Sequence, residues 1–235
     1  MVRWRYCIKI IIIKKVMDGG VTLNYILELM PQVLDGLKVT LEVFIMTLII
    51  SIPLGIVIAV MRTSKSFILS KISGLYVLIM RGTPLLLQIT VIFFGLPLVG
   101  ITFDRFTAAI IAFSLNYAAY FGEIFRGGIQ SIDEGQIEGA EVLGLTKKDT
   151  FFRIILPQAF KKVLPPVANE ITTLVKDTSL VYIVGLDELL KVGKIASNRD
   201  VSLVPLIVVG IVYLIIIGIL SEGLKRIEKK YDYYK

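Results

Sequence analysis

Arg81 makes the strongest chemical demand on its surroundings. It interrupts an apolar run about ten residues after Lys71, and a guanidinium at the centre of a membrane helix costs about 2.5–3.5 kcal/mol on insertion scales. At 1.5 Å per residue it lies about 15 Å in, near the middle of a bilayer. Charge placed there faces a bundle interior and takes a partner. The guanidinium is planar, permanently charged and two-pronged, which suits a carboxylate. Thr83 and the backbone freed by Pro84 add polar contacts beside it. Gln88, seven positions on, is expected to share its helix face. Asn116, Tyr120 and Glu123 recur at i, i+4 and i+7, a polar stripe on a second apolar run. Glu123 is the candidate partner for a cation. Two readings stay open: Arg81 and Glu123 hold a ligand, or they pair with each other and lock the bundle. Glu42, at the outer end of the first apolar run, either reaches the same site or sits among outer headgroups. Lys176 and Asp177 either line a path or form a neutralised pair at a helix break. Asn169 and Glu170, on the same helix, are placed at a dimer seam.

The elements that must carry these residues are apolar. The chain has 235 residues, 55% of them hydrophobic, with mean hydropathy +0.79. Ordinary soluble domains hold nearer 45–50% apolar residues. The net charge of +7 gathers at the ends of apolar blocks, as topology signals do, so nucleic-acid binding is not expected. Cys7 is the only cysteine and there is no histidine. An intrachain disulfide, a Cys/His zinc site and histidine acid–base chemistry are thereby excluded within the chain. No nucleophile motif points to an enzyme. The phosphate-binding string G-x-x-x-x-G-K-[ST] is missing, so ATP, if used, binds to another chain.

The periodicity predicts an all-α, polytopic membrane protein with five spans: Val43 to Met61, Ile72 to Val99, Phe106 to about Phe125, about Val163 to Ile183, and Val201 to about Leu220. The second is interrupted by Arg81 and broken by Pro84; the fourth holds Pro165, Pro166, Lys176 and Asp177. Lys and Arg cluster after the first span, in the loop at about 126–157 and in the tail. The positive-inside rule then sets the N-terminus outside and the C-terminus inside. Residues 1–30 read as an N-terminal arm, 31–224 as the bundle and 225–235 as a basic cytoplasmic tail. Met1 to Lys15 is too short to span, leaving an interfacial segment or a frayed end. The loop reads as two short capped helices. Ser131 with Glu134 is expected to form a capping box, Gly144 to stop the first helix, and Thr146 with Asp149 to start the second.

Within that loop Glu138, Ala140, Gly144, Ile154, Leu156 and Pro157 match the pattern E-A-A-x3-G-x9-I-x-L-P. In this the chain resembles the permease subunits of ATP-binding-cassette importers. Gly139 replaces the middle alanine, at about 0.8–1.0 kcal/mol in a helix interior. Arg81 to Gln88 (RGTPLLLQ), Glu123 to Ile132 (EIFRGGIQSI) and Leu174 to Leu180 (LVKDTSL) are similar to the polar amino-acid branch, which takes up histidine, arginine or glutamine. The resemblance runs from roughly Gly36 to the C-terminus.

The resemblance implies a type I importer transmembrane domain in a prokaryotic cell membrane. It implies a second permease subunit, expected to be identical, and an extracellular or periplasmic amino-acid-binding protein. A cytoplasmic ATPase dimer would hold ATP and Mg, leaving no cofactor in this chain. Glu138, Gly139, Ala140, Gly144, Ile154, Leu156 and Pro157 become the ATPase-coupling residues, with Glu138, Ala140 and Gly144 in the ATPase groove. Arg81, Thr83, Gln88, Asn116, Tyr120, Glu123 and Glu42 become candidates for an intramembrane amino-acid site, with Lys176 and Asp177 along the path. If Glu42 contributes, the surplus carboxylate favours a cationic side chain: arginine, lysine or histidine. The alternative is a channel or scaffold that passes small solutes without ATP.

Overall fold

The computed structural model describes residues 23–231; the Met1 to Lys15 segment lies outside them. Among the described residues every regular element is helical. The first charge-free run belongs to a longer helix, α1 (Leu23–Thr63), which passes through Pro31 and Pro53 without ending. Its 41 residues reach about 60 Å, twice a hydrocarbon core. The arm drawn at residues 1–30 therefore ends inside a continuous helix. α2 (Phe67–Gly82) stops at Thr83-Pro84, where proline bars an α conformation for its predecessor. α3 (Leu85–Thr90) restarts at once, bent by 101° from α2, and runs on to Val99. The second expected span is thus a broken pair.

α4 (Arg105–Gln130) is the most enclosed helix. Asp104 caps it, its Oδ1 accepting the N–H of Phe106 at 3.0 Å and of Thr107 at 3.1 Å. α1 crosses α4 through small residues. Gly55 of α1 meets Gly122 of α4, and Ser51 and Ala59 on the one helix and Ser114 and Ala118 on the other are buried as well. A Cβ on Gly55 would lie 2.7 Å from Cβ of Phe121, and one on Gly122 would lie 2.7 Å from Ile58. In lipid, where apolar burial does not drive helices together, backbone approach of this kind supplies dispersion contact instead. Phe113, Tyr117 and Phe121 fill the core beside the crossing.

α5 (Glu134–Val142) and α6 (Lys147–Thr150) form the loop; a widened turn, Phe151–Ile155, joins them to α7 (Leu156–Asp177). Pro157 explains the widening: it has no N–H to return to the preceding turn. The same Leu-Pro pair follows the widened turn at Val91–Gly95. α7 tightens into a 3₁₀ stretch, Thr178–Val184, before α8 (Leu189–Asp200) and α9 (Val204–Lys230).

α1, α8 and α9 are knotted at Glu188, which is fully buried. Its carboxylate accepts the N–H of Leu190 and of Lys191 at 2.6 Å each, and the Tyr213 hydroxyl at 3.3 Å. The Leu189 N–H donates to the Thr40 hydroxyl on α1 at 3.2 Å. Burial pushes the Glu188 carboxyl up, against the pull of those donors.

Contacts at the helix ends define two faces. Tyr25, early in α1, donates to Asp200 at the end of α8. The Tyr231 ring meets Phe160, at the base of α7, with centroids 5.3 Å apart. The N-terminal end of α1 and the α8–α9 turn thus share one face; the loop and the end of α9 share the other. Among the described residues three helices are long and apolar enough to cross a membrane, or four with the bent pair as one span. α7, which holds most of the fourth expected span, about Val163 to Ile183, is absent from that set because its apolar residues lie on one side.

Candidate functional site

The break between α2 and α3 places Arg81. Helix termini leave carbonyls without partners, and here side chains fill them. Gln88 Nε2 donates to the Met80 carbonyl at 2.9 Å, the Thr83 carbonyl at 3.2 Å and Thr83 Oγ1 at 2.8 Å. Asn116 Nδ2, from α4, donates to the same Met80 carbonyl at 2.9 Å and to Gln88 Oε1 at 3.1 Å. Thr83 Oγ1 donates to Ile79 O at 2.8 Å. Gln88 does not share a helix face with Arg81, since the helix ends between them; it folds back to close the break. Thr83, Gln88 and Asn116 spend their hydrogen bonds on backbone and on one another.

Arg81 is exposed, its guanidinium carbon 5.0 Å from the centroid of the Tyr120 ring. Charge over an aromatic face is favourable by about 0.5–1 kcal/mol when exposed. Glu123 is engaged elsewhere. Arg126 Nε donates to its Oε2 at 2.9 Å, and Arg126 Nη2 to its Oε1. Arg62, at the end of α1, stands 3.8 Å from Oε2. Arg81 is also within electrostatic reach of Glu123, after Arg126 and Arg62; the bonds of Glu123 itself tie α1 to α4 near the loop face. Glu42 also has a nearer partner, Lys38, at 4.0 Å on its own helix.

A second acid within reach of Arg81 comes from α7. Glu170 is half-buried within electrostatic reach of Arg81 and of Asp177. Sequence reasoning placed it at a dimer seam; in the single chain it is near Arg81 and Asp177. The Tyr117 hydroxyl donates to Asp177 Oδ2 at 2.8 Å. Lys176, next door, is exposed. Arg81, Tyr117, Tyr120, Glu170 and Asp177 therefore form one polar cluster between α2, α4 and α7. Tyr117 was absent from the expected site because nothing distinguishes it from the core aromatics at Phe113 and Phe121. Glu170 could have been found from its spacing, seven residues before Asp177 and so on the same face.

On the other face, the loop displays its ends. Asp133 caps α5, its Oδ1 accepting the Gly135 N–H at 2.8 Å. Ser131 is not the cap: its hydroxyl donates back to the Gly128 carbonyl at 2.7 Å. Gly144 has φ +76 and closes α5 through two bonds. The Gly144 N–H reaches Glu141 O and the Leu145 N–H reaches Ala140 O, each at 3.0 Å, a Schellman closure. Thr146 accepts the Asp149 N–H at 3.1 Å and donates to its carboxylate at 2.6 Å. Glu138 and Gly139 are exposed, but Ala140 is buried inside the chain, so it cannot lie in a partner's groove as expected. Val142 and Leu143, 87% and 81% exposed, are the apolar residues on display. Ile154 is half-buried in the widened turn, and Leu156 and Pro157 are exposed at the start of α7.

Residues 51–231 match the family described as the binding-protein-dependent transport system inner membrane component. The chain belongs to that family. The permease is 39% identical over 202 residues to the arginine transport system permease protein ArtQ of Bacillus subtilis (strain 168), covering 85% of this chain and 92% of that protein. It is 39% identical over 206 residues to the L-cystine permease TcyB of the same organism, covering 87% and 88%. A putative glutamine permease, GlnP of Rickettsia typhi (strain ATCC VR-144 / Wilmington), is 34% identical over 213 residues, covering 88% and 98%. Among solved structures, an amino acid ABC transporter crystallised with histidines superposes with a TM-score of 0.83 at 31% identity, covering 89% of this chain and 99% of that one. The inward-facing MetNI methionine transporter shares the fold, with a TM-score of 0.70 at 20% identity over 87% and 98% of the two chains. The permease is therefore an amino-acid ABC transporter subunit, a membrane protein of type I importer fold and not an enzyme. Its family implies an ATPase and a substrate-binding protein as partners.

Proposed function

We propose that the permease carries a polar, cationic amino acid through the Arg81–Asp177 cluster, driven by ATP hydrolysed on a separate subunit. The charge balance of the cluster supports the substrate: Arg81 stands within electrostatic reach of Glu170, and a second carboxylate, Asp177, within reach of Glu170. A zwitterion uses one charge of each sign, and the second carboxylate takes a cationic side chain. Arg81 receives the α-carboxylate as a two-pronged donor. Tyr120 supports it, while Gln88, Asn116 and Thr83 hold the helix break that points it. This moves the cationic preference from Glu42 to α7. Glu42 stays outside the site, and Lys176 flanks the path.

Because Arg81 is exposed on the single chain, a second permease copy is needed to cover the path. Glu138, Gly139, Gly144, Val142 and Leu143 form the handle for the ATPase dimer, which holds ATP and Mg. Buried Ala140 and half-buried Ile154 brace it from within, while Leu156 and Pro157 stand exposed at the start of α7. Transport then requires two states that contact the ligand differently, with the loop passing ATPase closure into α7. Titration of the purified transporter with L-arginine and L-glutamine tests the substrate. Tighter arginine binding is expected; tighter glutamine binding ends the cationic proposal.

A further inference from the structure

Beyond Asp177 the chain continues as the 3₁₀ stretch Thr178–Val184, which ends at Gly185. α7 starts at the loop face, so this stretch runs toward the opposite face. Tyr182 lies on it, five residues past Asp177 and so about 10 Å further out at 2.0 Å per residue. Its side chain is exposed.

Cations from two other helices stand around that end. Arg105, at the start of α4, and Lys191, in α8, both donate to the Gly185 carbonyl, at 3.3 and 2.8 Å. Lys191 also pairs with Asp187 at 2.6 Å. Lys194, one turn further along α8, is placed differently. Its ammonium lies 4.5 Å from the centroid of the Tyr182 ring, and among the described residues it has no hydrogen-bond or ion-pair partner. Glu188 is within its electrostatic reach, but that carboxylate is buried and taken by Leu190, Lys191 and Tyr213. Lys194 is itself exposed. A cation over an exposed ring is held only about two- to fivefold, so Lys194 leaves readily.

We propose that Tyr182 is an outer station for the side chain of a cationic amino acid, and that Lys194 is a tethered stand-in which the substrate displaces. The assignment rests on the cationic-substrate reading above and adds a residue to it. An aromatic face that holds a lysine ammonium accepts the same group on a free amino acid, and a guanidinium stacks there as well. Asp177, further in, takes the cation next. A passage needs stations that bind well enough to admit a charge and weakly enough to release it, and a ring meets that need better than a carboxylate. A neutral side chain gains nothing at Tyr182 and finds Lys194 still in place. Side-chain charge is thus read before the α-carboxylate meets Arg81.

The test is uptake of L-arginine and L-glutamine by the whole transporter, with its ATPase and binding protein, reconstituted in vesicles. Tyr182→Leu is expected to slow arginine about fivefold and glutamine by less than about twofold. Tyr182→Phe keeps the ring face and should match the wild type. Lys194→Met should quicken arginine about twofold in the wild type and leave it unchanged beside Tyr182→Leu, because only the ring makes Lys194 a competitor. Equal slowing of both amino acids, slowing by Tyr182→Phe, or a Lys194→Met gain that persists without the ring overturns the station. Should the leucine variant fail to assemble, Lys194→Met alone decides, and no gain with arginine overturns the proposal. Each of these results leaves the substrate reading standing while the purified wild type binds arginine more tightly than glutamine. Tighter glutamine binding overturns both.

Discussion

At the scale of single residues, the outcome turns on which side chains are free to meet a ligand. Arg81 is held over Tyr120 with no carboxylate bonded to it among the described residues, whereas Glu123 is clamped by Arg126 and neighboured by Arg62. Arg81→Lys keeps the charge but loses the planar fork, and is expected to weaken amino-acid binding about tenfold by equilibrium titration. Asp177→Asn should weaken arginine about tenfold more than glutamine in the same assay. Glu123→Gln should change affinity by less than about twofold, since an acid spent elsewhere does not touch the ligand. Arg81, Tyr120 and Asp177 were legible because charge and hydroxyls stand out in apolar sequence. The partners of Arg81 were not. Periodicity along one helix does not say which acid on another helix comes near, and the break at Pro84 voided the face shared by Arg81 and Gln88.

At the scale of elements, close approach and caps decide. Gly55 lets α1 reach α4, and a Cβ there would stand 2.7 Å from Phe121. Gly55→Val is expected to cost about 1–3 kcal/mol by overpacking, seen as a lower unfolding temperature in detergent. Removing the buried cap with Glu188→Ala leaves two donors, the N–H groups of Leu190 and Lys191, without their acceptor. A loss of about 1–3 kcal/mol follows from an unsatisfied buried group, read from the same melts. The Gly144 stop and the Thr146 start were legible because few residues do those jobs. The Ser131 cap was misread because Asp133, two positions on, competes for the same turn. The length of α1 was hidden by its first half, which alternates polar and apolar residues and reads as an arm when charge-free runs are the guide.

At the scale of the molecule, the fold separates two faces. Arg81, Glu170 and Asp177 lie between the α8–α9 turn on one side and the loop on the other. The all-α membrane class followed from composition, and the loop motif carried the family. Of the five expected spans, the fourth is the least legible, because α7 buries one side and so lacks the uniform apolarity of a lipid-facing helix. The account depends most on the loop being a handle turned from the cytosol. A cysteine in place of Val142, 87% exposed at the end of α5, tests this in inverted membrane vesicles. A thiol crosslinker should join it to a cytoplasmic ATPase subunit, with a yield that changes when ATP is added. Labelling only from the outer face of intact cells, or no ATPase adduct in either state, would contradict the account.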